Sequence, residues 1–156
     1  RVEASAADFA EVDRYVSETP KLMNELLDSL ATIRSSRGQI EALLARYPGA
    51  EKLHGSGESA LGRLNTWERK VVQVDYETYE DEDSLPPRLL KNVRHLLDVI
   101  DDAGPPVAAG ALERLGDLQA EWRTLAAELA EIEASDIAAV NTWASESSVP
   151  YVSVKN

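Results

Sequence analysis

The chain has 156 residues, no cysteine, two histidines and a formal net charge of −12. That length suits one domain with a real core, and 44% hydrophobic residues are too many for a disordered acidic tail. The acidic balance argues against a nucleic-acid binder and against a polybasic membrane-surface module, and the missing thiols exclude disulfides, thiolate metal sites and cysteine nucleophiles.

Apolar positions recur at helical spacing nearly everywhere. The first seam runs through Phe9, Val12, Val16, Thr19, Met23, Leu26, Leu30, Ile33, Ile40, Leu44 and Tyr47, skipping a position at Arg37. Steps of three and four make it heptad-like. Ser5 with Asp8 is a capping start, and Pro48-Gly49 a stop. Pro20 would ordinarily break the helix, but the seam keeps its phase through Val16, Thr19 and Met23. One kinked helix from about Ala6 to Tyr47, about 60 Å long, is therefore predicted.

Residues 48–57 hold three of the eight glycines and read as a connector. A second helix is expected over about Glu58–Val74, with Leu61, Leu64, Trp67, Val71 and Val74 on one side. The stretch 75–85 is an acidic loop, carrying Asp75, Glu77, Glu80, Asp81, Glu82 and Asp83; adjacent like charges favour a solvated turn. Pro86 opens a third helix that buries Leu89, Leu90, Val93, Leu96, Leu97 and Ile100 and stops at Gly104-Pro105-Pro106. The last helix spans about Ala108–Ala144, with a seam of Leu112, Leu115, Leu118, Trp122, Leu125, Leu129, Ile132, Val140 and Trp143. Residues 146–156 form an extended tail whose Val149, Pro150, Tyr151 and Val152 are the expected docking surface.

These lengths predict an all-α, antiparallel up-down four-helix bundle, with long first and last helices and two short ones between, in a single domain over 1–156. The start of helix one and the finish of helix four are expected to pair as a two-helix stalk, bringing the termini together. Gly38, Gly62 and Gly116 mark either close helix approach or tolerated surface positions.

Candidate chemistry is sparse. A di-iron carboxylate site needs two Glu-x-x-His motifs. Glu51-Lys52-Leu53-His54 supplies one, in the connector, but Asn92 precedes His95 where the second would need Glu. His54 thus reads as a loop histidine and His95 as a boundary histidine. The acidic loop lacks the glycine and spacing of an EF-hand. Asp98, Asp101 and Asp102 cluster near a helix C-terminus, where the dipole disfavours them. Trp67, Trp122 and Trp143 are either a sugar platform or seam packing, and their spacing favours packing. No nucleophile elbow, phosphate loop or zinc-protease motif occurs, so no catalytic, cofactor-binding or metal residue is expected.

Several stretches carry a resemblance: Ile33-Arg34 with Arg37 and Gln39-Ile40; Leu89-Leu90-Lys91-Asn92 after a proline; Glu113-Arg114-Leu115; Asp136-Ile137-Ala138-Ala139-Val140-Asn141; and the Val149-Pro150 tail. In their order and spacing the chain resembles the C-terminal helical module of bacterial sortilin-type, Asp-box (BNR-repeat) β-propeller proteins, often labelled glycosyl hydrolases. Pro20, Val107 and the strongly charged acidic loop depart from that pattern. The resemblance implies a secreted, periplasmic or cell-envelope protein. It also implies a non-catalytic accessory domain, whose partners are the propellers of the same chain or another protein. The alternative is a free-standing helical oligomerisation or protein-interaction module. The chain opens at Arg1 with neither signal peptide nor initiator Met, as expected of an excised or processed piece.

Overall fold

Pro20 does not end the first helix. In a computed structural model, which describes residues 5–75, 85–102 and 109–154, α1 runs unbroken over Ala6–Arg46 with Pro20 inside it. Ser5 caps it reciprocally: its backbone N–H donates to Asp8 Oδ2 at 2.6 Å and Asp8 N–H donates to Ser5 Oγ at 3.3 Å. Pro20 lies on the exposed side, where its ring has room and water can satisfy the carbonyl it leaves without a donor. Thr19 Oγ1 donates to the Tyr15 carbonyl at 2.9 Å just before it.

The remaining helices are α2 (Glu51–Val71), α3 (Leu89–Asp102) and α4 (Ala109–Ile132), the last passing through a π-helical turn at Glu133–Ile137 into α5 (Ala138–Glu146). Counting α4, the π-turn and α5 as one continuous helix, the chain is all-α with four helices among the described residues, the first and last long and the two between short. α2 begins well before the expected Glu58, because Leu53, Gly57, Ala60, Leu64, Trp67 and Val71 form one buried stripe in steps of four and three. A Cβ on Gly57 would come within 2.8 Å of Leu44 Cδ2, so this glycine lets α1 and α2 close up straight after the turn. Gly38, Gly62 and Gly116 meet nothing within 4 Å and are surface positions.

Two compact units divide the chain. The first comprises Arg1–Leu27 and Lys70–Thr124. Its core holds Tyr15, Leu22, Leu26, Leu89, Val93, Leu96, Leu115, Leu118 and Trp122. Tyr15, not Val16, carries the early seam: Tyr15 is fully buried, its hydroxyl reaching the Leu96 carbonyl over a long 3.4 Å, whereas Val16 is 48% exposed. Gln119 Nε2 donates to Glu18 Oε2, and Trp122 Nε1 to Glu25 Oε2, each at 2.9 Å. These partners advance together along both helices, so α1 and α4 run in the same sense here, whereas the expected up-down order of four would oppose the first helix and the last.

The second unit comprises Asp28–Arg69 and Leu125–Asn156. Its core holds Leu30, Ile33, Ile40, Leu53, Leu64, Trp67, Leu129, Ile132, Ile137 and Val140. Arg34 and Arg37 on α1 meet Glu68 and Asn65 on α2, an antiparallel pairing. Ser59, Arg63 and Trp67 on α2 meet Asp136, Glu131 and Leu125, again antiparallel. The start of α1 and all of α3 belong to the first unit, α2 as far as Arg69 and all of α5 to the second. The acidic residues 76–84, the stop at 104–106, Val107 and the side chains of Ile100, Asp101 and Asp102 lie outside the described residues.

Candidate functional site

The most structured polar feature is where the tail leaves α5. Ser148 N–H donates to the Ser145 carbonyl at 3.2 Å and Val149 N–H to that of Ala144 at 3.0 Å. This is the paired bond pattern of a Schellman C-cap, whose turning residue must adopt positive φ. Ser148 does so, at φ 55°, the one non-glycine residue with positive φ among the described residues. Pro150 then sets the chain extended.

Two carboxamides receive it. Val152 N–H donates to Asn141 Oδ1 at 2.6 Å, and Asn141 Nδ2 donates back to the Val152 carbonyl at 3.1 Å. One residue on, Ser153 N–H donates to Gln39 Oε1 at 2.9 Å and Gln39 Nε2 to the Ser153 carbonyl at 3.1 Å. In an extended chain the N–H and C=O of one residue face one side and those of the next face the other. Asn141 on α5 and Gln39 on α1 therefore act as two strand edges gripping the tail from either side. Only Val152 adds a buried side chain, at 2% exposure; Tyr151 stands 72% exposed, Pro150 is exposed and Val149 is half-buried. Beside this clamp, Gln39, Leu43, Arg46, Tyr47, Pro150 and Tyr151 line a shallow pocket of about 220 Å³. Tyr47 packs edge-on against Trp143 at 5.3 Å, and the Arg46 guanidinium lies 5.6 Å from the Tyr47 ring centre.

The other polar groups of this unit fasten helices together. Burial of the Glu68 carboxyl would raise its pKa, but hydrogen bonds and charge from Arg34 (2.6 Å) and Arg37 (2.7 Å) outweigh that and hold it below the usual range. Asp136 is likewise held low against its burial, by Ser135, Ser59 and Arg63. Glu133, at the head of the π-turn, is pushed up by burial. The π-turn is what separates these roles. Ile132 and Ile137, five residues apart, both stay on the seam, and the extra residue turns Asp136 toward Arg63.

The remaining sequence candidates stand exposed or serve packing within one unit or the other. His54 is helical, not in a loop; it sits half-buried on α2 with Nδ1 4.0 Å from Glu58. His95 is exposed on α3 and borders an open groove of about 640 Å³ with Met23, Leu27, Leu90 and Arg94. Asp98 is exposed. Trp67 is fully buried and donates to the Leu125 carbonyl at 2.7 Å, Trp122 bonds Glu25, and Trp143 meets Tyr47, so each is engaged within its own unit. Among the described residues no three His, Cys, Asp or Glu side chains are grouped to hold a metal ion, and no helix is long and apolar enough to cross a membrane. Sequence reasoning found the tail but not its clamp: a lone Gln and a lone Asn, 102 positions apart in sequence (141 − 39), have no periodic signature. Compared with protein-family profiles, curated protein sequences and solved structures, the chain matches none of them.

Proposed function

We propose that this chain is a non-catalytic, all-helical interaction module, and that it serves as the accessory domain of a secreted or periplasmic sortilin-like propeller protein. The observation that carries the interaction reading is the tail: it is fixed by Val152 and two carboxamides while Tyr151 is held out at 72% exposure beside Pro150 and Tyr47. An anchored backbone presenting one aromatic ring has already lost the entropy that binding would otherwise cost. The propeller assignment rests on the resemblance, and both clamp residues, Gln39 and Asn141, fall within the stretches that carry it. In this reading the propellers hold any hydrolase activity, and this chain docks through Val149, Pro150 and Tyr151. Sedimentation of the chain with the propeller domains of its parent is the test. A complex that weakens when Tyr151 becomes Ser supports the reading, and no association overturns it.

A free-standing oligomerisation or protein-interaction module is the second reading. The clamp favours it, since its contacts to the tail are mainly with backbone and need no propeller.

A further inference from the structure

The clamp reads polypeptide backbone plus one side chain, and its occupant is joined to α5 by a strained residue. Asn141 and Gln39 address only the N–H and C=O groups of Val152 and Ser153, and Val152 alone is buried. Nothing in those contacts requires the extended segment to come from the same molecule. Ser148, at φ 55°, is a non-glycine hinge in the left-handed region, so releasing the tail relieves backbone strain. A short strained hinge beside a self-complementary segment is the arrangement from which exchange between identical chains arises.

We propose that the groove between α1 and α5 in the second unit is an extended-peptide site, filled in cis by Val149–Ser153, and that its trans occupant is the same segment of a second copy of this chain. This deepens the oligomerisation reading and is independent of any propeller. In the unmodified chain the cis tail competes at high effective concentration, so the exchanged form is a minor species until the tail is released.

The test uses full-length variants. Val152→Asp spoils the tail and leaves the groove intact; the double variant Gln39→Ala, Asn141→Ala spoils the groove and leaves the tail intact. A fluorescent peptide with the sequence of residues 148–156 is expected to bind the Val152→Asp chain at least about tenfold tighter than the unmodified chain, whose own tail blocks the groove. It should bind the chain carrying all three changes no better than a peptide with Asp at position 152. Sedimentation of the two variants mixed one to one should show a heterodimer that neither forms alone. If circular dichroism shows Val152→Asp unfolded, Val152→Thr replaces it in the same titration. The proposal is overturned if the folded tail variant fails to bind the peptide, if the Asp-bearing peptide binds equally well, or if the mixed variants stay monomeric where the peptide saturates. Failure here leaves docking through Tyr151 onto a propeller standing, because that surface does not use the emptied groove.

Discussion

Asp136 Oδ2 accepts a 2.6 Å hydrogen bond from Arg63 while the next residue, Ile137, is 2% exposed. In a regular α-helix the position four after Ile132 would be Asp136 itself, and the carboxylate would displace Ile137 from the seam. The π-turn absorbs one residue and gives each side chain its place. Deleting exposed Ala134 returns the stretch to α-helix with Ile137 four residues after Ile132, so the seam survives and only the turn's own geometry is lost. The expected cost is below about 2 kcal/mol. Deleting exposed Ala130, one turn earlier, leaves Ile132 two residues after Leu129 and off the seam, even when straightening of the π-turn brings Ile137 and Val140 back into phase, and costs more than about 2 kcal/mol. Urea unfolding of the two deletions measures the contrast; equal losses would show that the π-turn is not a register device.

Glu68 gives the acid limb of stability. Its folded pKa lies below the ordinary glutamate value of about 4.3, because Arg34 and Arg37 overcome the burial that opposes ionisation. The sign follows by linkage: a depressed carboxyl stabilises above its unfolded pKa, and that contribution is lost as pH falls through the folded one. Glu68→Gln should cost about 2 kcal/mol at pH 7, and the gap from the parent should close progressively below about pH 4. Thermal melts of both chains at several pH values check this.

Glu133 has the opposite sign. Burial raises its pKa, so ionisation at neutral pH works against the fold, and stability falls as pH rises through the unfolded and then the folded value. Glu133→Gln should therefore raise the melting temperature at pH 7. The gain should vanish at a pH low enough to protonate the acid in both states. A gain that persists in acid would point to helix propensity rather than charge.

What was legible in the sequence follows from which signals are periodic. The seam kept phase across Pro20, and the helix does run through it, because the proline sits on the exposed side. Ahead of Thr19 two stripes compete one residue apart, and apolarity alone prefers Val16. The structure takes Tyr15, whose ring fills the core and whose hydroxyl finds a carbonyl. Gly55 and Gly57 read as breakers because propensity is local; the helix continues since Gly57 is needed for contact with Leu44. The blank between Ile132 and Val140 was the trace of the π-turn, visible only as a missing apolar residue. The clamp left no trace, since two single amides distant in sequence form no pattern.

The glycines separate by the same logic. Gly62 lies mid-helix, exposed, with open space where a Cβ would go, so Gly62→Ala should stabilise by about 0.5–1 kcal/mol through helix propensity and a less free unfolded chain. Gly57→Ala gains the same propensity but must push Leu44 aside. Overpacking of that kind costs about 1–3 kcal/mol, so the net change should be zero or unfavourable. Chemical denaturation of both single variants tests the difference, and a Gly57→Ala chain as stabilised as Gly62→Ala would show that α1 and α2 are not in tight contact there.

Ser148 holds the turn that delivers the tail to Asn141 and Gln39. Its φ of 55° puts a Cβ where glycine is favoured, at the turning position of a C-cap whose two hydrogen bonds are both made. Ser148→Gly removes the steric cost, about 1–2 kcal/mol for an L-residue in this region. It also frees the unfolded chain, which returns part of that gain. The expected net stabilisation is about 0.5–1 kcal/mol, or a melting temperature higher by about 1–4 °C for a chain of this size. Ser148→Val, with a branched Cβ at the same φ, should destabilise instead and speed hydrogen exchange of the Val149 and Val152 amides together, because both depend on this turn. If Ser148→Val left exchange at Val152 unchanged, the carboxamide clamp would be holding the tail without help from the cap.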